Sequence, residues 1–173
     1  MKTRFSSVGL FAIILWTCTA VVAVVHAAGG GNPPALQTPA ADSMTDDTLK
    51  QALTNMGFEP KALSKGFLVQ SKQDSWTLNV QVVLSGDNRK IGLNANLGKV
   101  DDPAKVTADD WMNLLISNGD IDPSAFYFDK DQKKLYLHRS FDNRTVTPAV
   151  LRREIENFCG NIRKTEPLWK FTK

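Results

Sequence analysis

Residues 75–85 and 90–97 constrain the fold more than any other part of this chain, because both alternate between apolar and polar side chains. In the first, Trp76, Leu78, Val80, Val82 and Leu84 are interleaved with Thr77, Asn79, Gln81 and Ser85. In the second, Ile91, Leu93, Ala95 and Leu97 are interleaved with Gly92, Asn94 and Asn96. A period of two sends successive side chains to opposite faces of an extended strand, so each apolar set shares one buried face. Ser85-Gly86-Asp87-Asn88 between them is turn chemistry and predicts an antiparallel hairpin.

The flanking segments supply partners for such a sheet. Residues 66–70 read as a further strand ahead of the hairpin, and residues 125–129 and 134–139 as a second hairpin around the polar loop Lys130-Asp131-Gln132-Lys133. Three helices are predicted. The first follows a cap at Ser43 or Thr45, places Leu49, Ala52, Leu53 and Met56 on one face, and ends at Gly57. The second spans residues 108–117, capped by Thr107 with Asp110 three positions on, its apolar face formed by Trp111, Met112, Leu114 and Leu115, and its end set by Asn118-Gly119. The third starts at Thr147-Pro148 and repeats Leu151, Ile155, Phe158 and Ile162 on one stripe. The order α-β-β-β-α-β-β-α predicts an α+β domain, a five-stranded antiparallel sheet with helices packed on it.

Ahead of this domain, residues 1–28 have the three parts of a secretory signal peptide. Lys2 and Arg4 form a basic head, residues 8–25 an apolar run, and Val25-His26-Ala27 a small-residue cleavage signal. The alternative is an uncleaved membrane anchor at residues 8–25, a run near the lower limit for spanning a bilayer. A lipidated Cys18 fits poorly, because Trp16 and Thr17 precede it. Residues 29–44 form a Gly/Pro/Ala-rich linker, which leaves residues 45–173 as one domain. The leader holds two of the 21 basic residues and none of the 18 acidic ones, so the exported chain is nearly neutral. No clustered basic face argues for nucleic acid as a partner.

Candidate chemistry is sparse. Past the leader, His138 is the remaining histidine and Cys159 the remaining cysteine. Cys159 follows Phe158 on an apolar stripe and is expected inside, while His138 alternates away from Leu135 and Leu137, so the two are not expected to form a nucleophile–base pair. Asp129 and Asp131 lack the glycine and distal glutamate of a calcium loop, and together with Asp120, Asp122 and Asp101-Asp102-Pro103 they read as turns. Asn143-Arg144-Thr145 fits a glycosylation acceptor, but no glycan is assigned in a chain whose leader and linker look bacterial. No catalytic residue, cofactor or metal is predicted. The tail residues Leu168, Trp169 and Phe171 are too apolar to stay in water, so they either fold back on the core or meet another chain.

The stretches Asp110-Trp111-Met112-Asn113-Leu114-Leu115, Asn118-Gly119-Asp120-Ile121, Phe126-Tyr127-Phe128-Asp129, Leu135-Tyr136-Leu137 and Asn143-Arg144, taken with the element order, resemble the type III secretion chaperone-like superfamily, including its YbjN-type branch. The resemblance implies the fold above, a tendency to form dimers, and binding of other proteins rather than catalysis. Secretion chaperones of that superfamily work in the cytoplasm, whereas this chain carries an export signal of its own. The sequence therefore reads as an exported, non-enzymatic domain that pairs with a second copy and binds an unknown protein. Its predicted contact surfaces are the outer sheet face, with Thr77, Asn79, Gln81, Asn94 and Asn96, and the tail residues Leu168, Trp169 and Phe171. The alternative is a small periplasmic ligand-binding protein or hydrolase whose site lies near Asp129, Asp131 and His138.

Overall fold

A computed structural model of the chain describes residues 43–173. The leader, its alternative as an anchor, and nearly all of the linker lie outside the described residues. Among the described residues no helix is long and apolar enough to cross a membrane.

Helix α1 (Asp46–Asn55) is followed by strands β1 (Lys61–Ala62), β2 (Phe67–Gln73), β3 (Trp76–Leu84) and β4 (Lys90–Lys99). Helix α2 (Ala108–Asp120), strands β5 (Ser124–Asp129) and β6 (Lys134–Asp142), and helix α3 (Pro148–Lys164) complete the order. The sheet runs β1-β2-β3-β4-β6-β5, and each neighbouring pair is antiparallel.

It has six strands rather than the five expected. The additional one, β1, is two exposed residues long and follows Pro60, so it has neither the length nor the alternation that would mark a strand. Both expected hairpins form, and a third joins β2 to β3 through Asp74 and Ser75, with Asp74 at φ 53°.

The alternating residues divide as their period requires. Val69, Val80, Val82, Ile91, Leu93, Leu135 and Leu137 are buried on one face. They form a single core with Leu49 and Leu53 of α1 and with Leu151, Ile155, Phe158 and Ile162 of α3. Burying each such side chain stabilises the fold by roughly 1.5–3 kcal/mol. Thr45, Thr107 and Thr147 cap the three helices, the first two in reciprocal capping boxes.

Helix α2 departs from expectation twice. It runs through Asn118 and Gly119 to Asp120 instead of stopping there, and the Asn118 carboxamide oxygen accepts from the Phe126 amide at 2.7 Å rather than capping a helix end. Its outward face is also more apolar than expected. Leu114 is buried and Trp111 half-buried, whereas Met112, Leu115 and Ile116 are 55%, 63% and 63% exposed.

The tail folds back on the domain. Lys173 exchanges backbone hydrogen bonds with Lys99 at 2.8 and 2.9 Å, and the Thr172 hydroxyl donates to the Leu97 carbonyl at 2.8 Å. This docking requires glycine at position 98, where φ is +134° and a Cβ would lie 2.6 Å from Thr172 Oγ1. Leu168, Trp169 and Phe171 become half-buried against the core, and the Phe171 ring meets Trp111 edge-on at 5.6 Å. Of the two fates read from the sequence for these residues, folding back on the core is the one seen, with each side chain still partly exposed.

Candidate functional site

The residues of the hydrolase reading are not brought together. His138 of β6 pairs with Ala125, while Asp129 pairs with Lys134 at the other end of the β5–β6 ladder. Their ladder positions are four residue steps apart along the strand, roughly 13 Å. The Asp129 carboxylate is spent on its own turn, accepting from the Asp131 and Gln132 amides at 3.0 Å, and Asp131 is exposed. Cys159 is fully buried in the core, and burial pushes its thiol up despite a hydrogen bond with Ser71. His138 points from the opposite face of the sheet, so no cysteine–histidine pair forms. Among the described residues no group of histidines, cysteines and carboxylates could hold a metal ion.

Asn143 is also a structural residue. It is fully buried, its Nδ2 donates to the carbonyls of Met44 and Asn88 at 2.8 Å, and its Oδ1 accepts from the Met44 amide at 3.2 Å. The side chain thereby ties the entry of α1 to the β3–β4 turn. The sequence signal for it was a glycosylation tripeptide, which says nothing of this clamp.

Three surfaces remain as candidates for recognition. The first is the outward face of α2, where Met112, Leu115 and Ile116 lie at i, i+3 and i+4 and so form one apolar patch. The second is the free edge of β2. Strand β1 covers only Phe67 and Leu68, and among the described residues no strand pairs with β2 beyond them. Beside this edge lies a groove of about 420 Å³ lined by Met56, Phe58, Leu68, Gln70, Lys72 and Arg152. The Arg152 guanidinium donates to the Met56 carbonyl at 2.6 Å and closes one wall.

The third surface is the outer face of the sheet, which no helix among the described residues covers. Thr77 and Asn79 are exposed there and Gln81 is half-buried. Asn79 accepts from Gln70 at 3.2 Å, and Gln81 donates to the Lys65 carbonyl at 2.9 Å, so both are already engaged within the domain. Further along this face, His138 Nδ1 lies 2.8 Å from Asn94 Oδ1, and Tyr127 and Tyr136 stack at 5.1 Å with an interplanar angle of 10°. Desolvation holds the imidazole below its ordinary value of 6.5 and both phenols above 10.0. Asn94 belongs to the outward polar set of the alternating pattern, whereas the tyrosine stack depends on the register between β5 and β6.

This arrangement of strands and helices has counterparts among solved structures. In the crystal structure of the ExsC–ExsE complex, the matching chain superposes with a TM-score of 0.53 at 16% identity, over 72% of this chain and 92% of that one. YbjN from E. coli superposes with a TM-score of 0.52 at 17% identity, over 70% of this chain and 90% of that one. The chain shares the fold of these two proteins, as the resemblance read from the sequence implied. At these identities the likeness is one of fold, and function has to be argued from sites. No known protein family matches the sequence, and no curated protein does.

Proposed function

We propose that the chain is an exported, non-enzymatic protein-binding domain that pairs with a second copy of itself through α2 and holds an unidentified protein partner. The observation that carries the reading is the apolar patch of Met112, Leu115 and Ile116, left in water on the outward face of α2. Each of these partly exposed side chains gains about 1–2 kcal/mol on full burial, and a two-fold pairing buries the patch of both copies at once. A second copy is the favoured occupant because the resemblance read from the sequence implies pairing.

Binding of another protein is supported by the fold's counterpart in the complex of ExsC with ExsE. It is also supported by the free β2 edge, which offers unpaired backbone groups to an extended segment. Lys61, Lys72 and Arg152 outnumber Glu59 around the groove, so the segment that suits it is acidic and apolar. Export rests on residues 1–28 and places this binding outside the cytoplasm.

Sedimentation equilibrium of the full chain tests the pairing. The wild type is expected as a dimer at micromolar concentration, and the double variant Leu115→Asp, Ile116→Asp as a monomer with unchanged far-UV circular dichroism. A wild type that stays monomeric throughout that range refutes pairing through α2. Fractionation of expressing cells, with the mass of the mature chain, tests export. A cytoplasmic chain that keeps its first 28 residues rules it out.

A further inference from the structure

The returned tail is tied to the domain by less than its apolar content suggests. The β3–β4 ladder joins residues 81–84 to residues 91–94 and ends there, while the β4–β6 ladder continues to Lys99. Past Asn94 it is the tail that takes up the β4 edge, through the backbone pair of Lys99 with Lys173 and the Thr172 hydroxyl on the Leu97 carbonyl. The ion pairs beside these bonds are at the surface, Lys173 with Asp101 at 2.9 Å and Lys170 with Glu166 at 3.5 Å. Exposed pairs of this kind hold weakly.

Docking also strands a donor. The Trp169 indole Nε1 is buried with no hydrogen-bond partner, a loss of hydration that undocking reverses. A segment with few edge bonds and an unsatisfied donor is suited to open locally while the core stays folded.

What the tail covers lies beside the α2 patch. The Phe171 ring packs on Trp111 at 5.6 Å, and Trp111 packs in turn on Phe128 at 5.4 Å. Trp111 stands four residues ahead of Leu115, so the two are neighbours on the helix surface. With the tail away, Trp111 joins Met112, Leu115 and Ile116 in one apolar surface that reaches toward β5.

We infer that residues 168–173 are a releasable cover on the pairing face of α2: docked, they occupy part of the surface that a second copy needs, and pairing displaces them from β4. The inference rests on the reading of α2 as the pairing surface. A docked tail whose rings joined the interface would keep the Trp169 donor sealed in, and it predicts the opposite sign in the experiment below.

Sedimentation of the full chain over a range of concentrations tests the cover through the double variant Phe171→Ala, Lys173→Pro, which removes the ring on Trp111 and the N–H given to Lys99. The variant is expected to pair about tenfold or more tightly than the wild type, with unchanged far-UV circular dichroism. Adding Leu115→Asp and Ile116→Asp should abolish the gain, which locates the effect at α2. If the double variant loses its fold, Thr172→Val, which removes the hydroxyl bonded to Leu97, takes its place. Hydrogen exchange of the wild type gives a second readout. The Lys99 amide is held by the tail, whereas the Val100 amide is held by the Lys133 carbonyl at 2.8 Å. Lys99 should exchange faster than Val100, and the difference should widen as concentration rises through the pairing midpoint. Equal or weaker pairing of the variant overturns the inference and leaves pairing through α2 standing, as does a Lys99 amide that slows when the copies pair. Wild type and variant that both stay monomeric overturn the two readings together.

Discussion

Helices α2 and α3 resemble each other in sequence and differ in use. Each begins at a threonine cap and repeats apolar residues at helical spacing. α3 buries its whole stripe of Leu151, Ile155, Phe158 and Ile162, whereas α2 buries Leu114 and leaves Met112, Leu115 and Ile116 more than half exposed. The reason is position. α3 contributes to the central core shared with β2, β3, β4 and β6, while α2 packs on the edge strand β5 and on the returned tail, where Trp111 already meets Phe128 and Phe171. An amphipathic pattern says that a helix has something to cover, and the fold decides whether that something lies in the same chain.

The hardest test of this contrast is truncation within α3. Phe158→Ala removes a fully buried ring and should cost about 3–5 kcal/mol in urea unfolding, against less than about 0.5 kcal/mol for Ile116→Ser in the monomeric state. Equal costs would mean that α2 is packed as α3 is, and the contrast would be gone.

Next in size is the nearly buried ion pair between Glu154 of α3 and Arg139 of β6. Glu154→Ala leaves a buried guanidinium without its partner, its Nε already lacking one, and should cost about 3 kcal/mol by the same measurement. The double variant Arg139→Met, Glu154→Leu should recover most of that loss. A double variant as unstable as the single one would show that the pair is needed for more than charge balance.

Glycines sharpen the comparison further. Gly160 in α3 and Gly119 in α2 are both exposed, and a Cβ at either would meet nothing within 4 Å. Each change to alanine should stabilise the isolated domain by about 0.5–1 kcal/mol in thermal melts, since both helices gain the same backbone restriction. Unequal gains in a monomeric background would locate a strain in one helix that its geometry does not show.

The smallest effect lies outside both helices and serves as their reference. Burial lowers the folded-state pKa of His138 below 6.5, so the unfolded chain binds more protons at acid pH. Stability should therefore fall as pH drops below 6.5 and level off once the folded-state value is passed. His138→Gln should flatten that part of the profile, and an unchanged slope would assign it to other groups.

Much of the fold was legible because it is written in local patterns. The alternation around Ser85-Gly86-Asp87-Asn88 identified the central hairpin, and Thr107 and Thr147 marked their helix starts, because strand period and cap chemistry each depend on a few adjacent residues. Strand β1 was not legible, since two exposed residues after a proline have no period to read. The end of α2 was misplaced for a different reason. Asn118-Gly119 is a stop signal locally, but the helix continues to Asp120 while the Asn118 side chain accepts from the Phe126 amide at the start of the next strand. The candidate surfaces were half visible: Asn94 stood out as an outward polar residue, while the Tyr127–Tyr136 stack needed the β5–β6 register to bring the rings face to face.

By itself the sequence determined which residues are extended or helical and which of their faces are apolar, because those properties repeat every two or 3.6 residues along the chain. It also determined that Cys159 would lie inside and that His138 would point the other way. Only the tertiary structure decided where each apolar face is satisfied. It returned the tail onto β4 through the space left by Gly98, set α2 at the sheet's edge with its outer patch in water, and put the described helices on one face of the sheet. Those outcomes depend on contacts between residues far apart in the chain, and no local pattern encodes them.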